Sequence, residues 1–129
     1  MRPSRKWVIG VIAVVCLVCT ASPAAADSYD RSCTVPAYGA QKCGPAFEVS
    51  GKQSVRVTLH SSDEYTVGFC VDSDANNAEL GACRAIKERE TSAVLWTNSD
   101  PGRVAVHMRA NVDRALPGDV DVSFSVDVS

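Results

Sequence analysis

The chain has 129 residues, with 13 Lys and Arg against 15 Asp and Glu. That length accommodates one domain with a single modest core. The acidic balance repels phosphate backbones and anionic headgroups, which argues against nucleic acid and membrane surfaces as partners.

Met1–Ala26 reads as a cleavable secretion signal. Arg2, Arg5 and Lys6 form the positive end, Trp7 to Val18 the apolar stretch, and Ala24-Ala25-Ala26 the small-residue cleavage site before Asp27. The apolar run is shorter than the roughly 20 residues that a membrane span needs. Its removal takes three basic residues and no acidic one. The remaining 103 residues then carry ten basic and 15 acidic groups, a net charge of −5. The expected compartment is extracellular. Frequent Ala, Val, Asp and Arg with scarce Lys suggest a high-GC bacterial source.

Residues 27–45, punctuated by Pro36, Gly39, Gly44 and Pro45, read as an irregular N-terminal arm. The folded domain is expected over residues 46–129. A short strand is expected near Ala46–Ser50. In Gln53–His60, Val55, Val57 and Leu59 share one face. In Glu64–Asp72, Tyr65, Val67, Phe69 and Val71 alternate with polar or small residues. Leu80–Lys87 and Thr91–Thr97 are weaker strands, and Ala82–Glu90 could instead make a brief helical turn. In Arg103–Asn111, Val104, Val106, Met108 and Ala110 alternate with Arg103, Ala105, His107 and Arg109. The last strand is the clearest, with Val120, Val122, Phe124, Val126 and Val128 on one face and Asp119, Asp121, Ser123, Ser125 and Asp127 on the other. Period-two alternation marks half-buried strands, because successive side chains point to opposite faces. Asn76-Asn77, Ser99-Asp100-Pro101-Gly102 and Leu116-Pro117-Gly118 supply the turns. The expected fold is all-β: a small, disulfide-stabilised antiparallel β-sandwich of six to eight strands.

Cys16 and Cys19 fall in the signal, which leaves Cys33, Cys43, Cys70 and Cys83. An even count in a small exported domain reads as two disulfides. Three pairings are open, and Cys33–Cys43 with Cys70–Cys83 is favoured because each pair brackets a short, turn-rich stretch. Closing the 70–83 loop is worth roughly 3 kcal/mol in the chain-entropy model. Zinc is the weaker reading, since no C-x-x-C pair accompanies the two distant histidines.

Candidate chemistry is sparse. His60 and His107 read as solvated residues on outward strand faces, and a cross-strand pair of the general acid–base kind is the alternative. Asp119, Asp121 and Asp127 read as a solubilising row that guards a strand edge. Asp72, Asp74 and Asn76 match the first, third and fifth ligand positions of an EF-hand loop. The match then fails, with Asn77 in place of glycine and Cys83 in place of glutamate. A polar turn closed by Cys70–Cys83 is preferred over a calcium site, and no cofactor or other metal is expected. The sequence contains no nucleophile elbow and no phosphate-binding glycine loop.

The expectation is therefore a secreted, non-enzymatic protein–protein interaction module. It would act as adaptor or structural subunit of an extracellular assembly, for example a secreted toxin particle, with another secreted protein as partner. The alternative is an inhibitor of an extracellular hydrolase or protease, in which Arg84 enters a trypsin-like pocket. Two devices would serve binding: the disulfide-held loop Val71–Gly81, and strand addition by the arm or by a sheet edge. Tyr29, Arg84 and Trp96 are the candidate contact residues.

Overall fold

The computed structural model describes residues 26–37, 39–87, 92–112 and 118–129; the signal reading over Met1–Ala25 and most of the Leu116-Pro117-Gly118 turn lie outside them. Every regular element among the described residues is a strand. The strands are β1 (Asp27–Val35), β2 (Ala40–Val49), β3 (Ser54–Ser61), β4 (Val67–Ser73), β5 (Glu79–Ile86), β6 (Ser92–Thr97), β7 (Val104–Asn111) and β8 (Val120–Val128).

They form two four-stranded antiparallel sheets, ordered β1-β8-β3-β6 and β2-β7-β4-β5. The first strand pairs with the last, the second with the seventh, the third with the sixth and the fourth with the fifth. This is a long double-stranded hairpin rolled over on itself. The roll is closed by the additional pairings β3–β8 and β4–β7. An eight-stranded sandwich of this order is a jelly roll.

The expected alternation builds the core. Val55, Val57, Leu59, Val122, Phe124, Val126 and Val128 line the inner face of the first sheet. Val67, Phe69, Val71, Val106, Met108 and Ala110 line the second, and all are buried. β-Branched valine suits these positions because it packs well on a pleated surface with little rotamer freedom to lose. Phe69 and Phe124 meet at the centre with ring centroids 4.9 Å apart. Each such ring contributes a large buried apolar area and specific edge contacts.

The reading of residues 27–45 as an irregular arm is corrected. β1 pairs in unbroken register along the whole of β8, from Asp27↔Val128 to Val35↔Val120. β2 begins at Ala40 and contains a register shift between Cys43 and Phe47. Gly44 and Pro45 therefore mark a β-bulge within a strand and not a loop. Cys33–Cys43 then joins β1 of one sheet to β2 of the other. Tyr29 seals the same corner, its ring centroid 5.3 Å from that of Phe47 at a tilt of 35°, with the Arg31 guanidinium 5.0 Å over its ring.

Leu80–Lys87 is strand β5 through Ile86, so the helical alternative does not form over these residues. The strand expected from Glu64 starts only at Val67, because Asp63 and Glu64 take positive φ in the preceding turn. β8 lies inside its sheet between β1 and β3, so its aspartates do not guard an edge. Asp121 and Asp127 instead accept hydrogen bonds from Thr34 and Ser28 of β1, each at 2.8 Å.

One buried polar residue staples the turns. Asn98 donates to the carbonyls of Val49 and Gly102 at 3.0 and 2.8 Å and accepts from the Asp100 amide at 3.0 Å. It thereby ties the β2 end to the β6–β7 turn. The two disulfides point to an oxidising compartment. No helix among the described residues is long and apolar enough to cross a membrane.

Candidate functional site

The outward face of the second sheet carries a connected set of charges. The register places Lys42 opposite Arg109 and Cys70 also opposite Arg109, with Asp72 opposite both His107 and Glu79. Residues directly opposite on one face have side chains close enough to interact. Arg109 donates from Nε to Asp72 Oδ2 at 2.8 Å and from Nη2 to Asp72 Oδ1 at 3.3 Å, a bidentate pair. The same Nη2 reaches Glu79 Oε1 at 3.1 Å. These bonds to Asp72, reinforced by Glu79, raise the proton affinity of the Arg109 guanidinium further.

His107 stands between two carboxylates. Its Nδ1 is 3.1 Å from Asp74 Oδ1 and its Nε2 is 3.6 Å from Asp72 Oδ2. A carboxylate only accepts, so Nδ1 is the donor to Asp74. Lys42 Nζ approaches Asp74 from β2 at 3.5 Å. The His107 hydrogen bond first, and then the Lys42 charge, hold the Asp74 carboxyl below its usual range despite some desolvation. The side chains of His107 and Asp72 are each only 5% exposed. His107 is thus on the outward face, as expected, but it is not solvated. Its strand is central in the sheet, and its neighbours on β2 and β4 leave little room for water.

The structure separates the two histidines. His60, on β3, faces outward from the first sheet, whereas His107 faces outward from the second. The cross-strand pair weighed from sequence does not form. His60 Nε2 instead meets Ser125 Oγ, and Ser125 donates to Asp30 Oδ1 at 2.9 Å. Because Ser125 spends its proton on Asp30, His60 is the donor to Ser125. A nucleophilic serine requires the opposite polarity, with the histidine accepting its proton. This relay leaves no local signal in the sequence, because it depends on β1, read as an arm, pairing with β8.

Each calcium candidate is committed elsewhere. Asp72 is held by Arg109, Asp74 by His107 and Lys42, and Asn76 Oδ1 accepts the Ala78 amide at 3.0 Å. The segment forms the β4–β5 hairpin turn, with Ser73 N donating to Ala78 O and Asn77 N to Ser73 O, both at 2.8 Å. Asn77 takes φ 59°, a conformation that asparagine tolerates well. Cys70 and Cys83 pair across β4 and β5, with their Cα atoms 4.4 Å apart, which gives the favoured disulfide pairing. Glu79 stands beside these two cysteines, but both sulfurs are consumed by the bond between them.

The three contact candidates do not converge. Tyr29 belongs to the β1–β2 corner, and its ring is partly buried there. Trp96 packs partly buried against the core at the β5–β6 corner, close to Gly81. Arg84 is exposed on β5, with its backbone opposite Phe69. Compared with known protein families and curated proteins, the chain matches no family model and no curated relative.

Proposed function

We propose that the protein is a secreted interaction module, an adaptor or structural subunit of an extracellular assembly, whose docking surface is the β4–β5 hairpin and the charged face beside it. The observation that carries this reading is the preorganisation of that surface. A disulfide crosses the hairpin, its turn is hydrogen-bonded, and its outward carboxylates are fixed by Arg109, His107 and Lys42. A surface already ordered before contact loses less side-chain and loop entropy on binding. Fixed, alternating charges also select a partner of complementary pattern.

A free donor arm over residues 27–35 is not retained, since those residues already pair with β8 as an edge strand of the first sheet. The inhibitor reading keeps one support, the exposed Arg84 next to the Cys83 bridge. It predicts that the protein inhibits a trypsin-like protease and that Arg84→Ala abolishes the inhibition.

The test uses the tagged protein captured from the producing culture's medium, followed by mass spectrometry. Ala75→Arg and Ala82→Arg add bulk at exposed hairpin positions, and Ser32→Arg adds it on the opposite sheet. The expected result is a defined companion that is lost with either hairpin variant and kept with Ser32→Arg. A companion kept by both hairpin variants, or a lone monomer in every case, rejects the proposal.

A further inference from the structure

The two disulfides occupy different surroundings. Cys43 is buried and Cys33 half-buried, at a corner closed by Tyr29 and Phe47. Cys83 is exposed, within the continuously exposed run Gly81–Ala85 of the edge strand β5. Its partner Cys70 is buried on β4, at a register shift between Phe69 and Val71. Thiol–disulfide exchange requires access to one sulfur and a stabilised leaving group at the other. Cys83 offers the access. Arg109 lies opposite Cys70 in register, and its Nη2 donates to the Glu79 carboxylate that stands beside both sulfurs.

We infer that Cys70–Cys83 is a reducible latch on the β4–β5 hairpin, opened by a dithiol reductant, while Cys33–Cys43 is the permanent structural bridge. A thiolate of the reductant attacks Cys83 Sγ and forms a mixed disulfide. The Cys70–Cys83 bond breaks, and its electron pair leaves on Cys70 Sγ, which takes up a proton. The reductant's second thiolate then attacks its own sulfur in the mixed disulfide, releasing Cys83 as a thiolate that is protonated in turn. The reductant departs as its disulfide, and the protein has gained two electrons and two protons. β5 is then held to β4 by its backbone pairing, to the core by Ile86 and Leu80, and to β7 by the Glu79–Arg109 pair.

Glu79 makes the proposal specific. Its Oε1 lies 2.9 Å from Cys83 Sγ, so an incoming thiolate meets a negative charge at the attacked sulfur. Neutralising that charge speeds the attack. The inference places regulation at the hairpin of the proposed docking surface. It rests on that reading only for its biological use, since the chemistry is measured without any partner.

The experiment treats the native protein with limiting dithiothreitol, traps free thiols with iodoacetamide, and maps them by peptide mass spectrometry. The expected result is alkylation of Cys70 and Cys83 while Cys33–Cys43 stays closed. Circular dichroism is expected to remain that of a folded β-protein. Glu79→Gln is expected to open Cys70–Cys83 several-fold faster, with no change at Cys33–Cys43. Opening of Cys33–Cys43 first, simultaneous appearance of four thiols, or an unaltered rate in Glu79→Gln overturns the inference. A Cys70→Ser/Cys83→Ser double variant provides the second readout. It is expected to fold and to show faster amide exchange confined to β5 and the hairpin turn, whereas unchanged exchange there denies the latch.

Discussion

Breaking the Asp72–Arg109 pair gives the sharpest test of how the charged face is held. Asp72 is 5% exposed, accepts two hydrogen bonds from Arg109 and has the His107 ring nearby. Asp72→Ala removes charge-assisted bonds worth about 1.5–3 kcal/mol. Arg109 is 30% exposed, so its freed guanidinium can turn to water and keep Glu79. We expect a loss of about 2 kcal/mol. Arg109→Ala is worse, because it leaves the Asp72 carboxylate buried without its bidentate partner, between His107 and the like-charged Glu79. Removing one partner of a buried pair costs about 3–5 kcal/mol, and partial exposure of the arginine puts this case near about 3 kcal/mol. The double variant should cost clearly less than the two losses added, with a coupling of about 1.5–2 kcal/mol. For a domain of this size about 2 kcal/mol lowers Tm by about 10 °C. Urea titration followed by Trp96 fluorescence measures all four corners of the cycle. A coupling below about 0.5 kcal/mol, or Arg109→Ala milder than the exposed Lys42→Ala, refutes the reasoning.

Three further outcomes follow from local geometry. Gly81 has φ +67° and a Cβ there would lie 2.4 Å from the Leu95 carbonyl oxygen, so Gly81→Ala should cost about 3 kcal/mol; Gly102→Ala, with open space around it, should stay within about 0.5 kcal/mol in the same thermal melts. Asn98→Ala leaves the Val49 and Gly102 carbonyls without their donor and should cost about 2–3 kcal/mol by urea denaturation, whereas a loss under about 0.5 kcal/mol denies the staple. The His107 hydrogen bond holds the Asp74 carboxyl below the ordinary aspartate range, so its contribution is present above the unfolded value and fades as pH falls through the folded one. The stability gap between wild type and Asp74→Asn should therefore be full at pH 6 and shrink below about pH 4; a gap that widens on acidification contradicts this.

The sequence was most legible where one face of a strand is buried. β8 alternates valine and phenylalanine with aspartate and serine because one side meets the core and the other meets solvent. β1 was missed for the converse reason. Ser28, Asp30, Ser32 and Thr34 are polar and exposed, and Arg31 interrupts the inward row of Tyr29, Cys33 and Val35, so the apolar period is broken. Its strand identity comes from hydrogen bonds to β8, a partner nearly a hundred residues away, and local pattern carries no trace of that pairing. β2 was truncated because Gly44 and Pro45 read as a loop when they form a bulge. His107 illustrates the limit for sites. Its outward direction follows from alternation, but its burial depends on which strands flank β7, and that depends on the roll of the whole chain. The disulfide pairing was readable because each pair brackets a single turn, so proximity in sequence and in space coincide.

Amide hydrogen exchange on the purified complex, compared with the free protein, tests the docking claim most directly. The account predicts new protection concentrated in residues 72–85, with little change across β1 and the outward face of β8. Protection confined to β1, β3 and β8, with the β4–β5 hairpin exchanging as in the free protein, contradicts it.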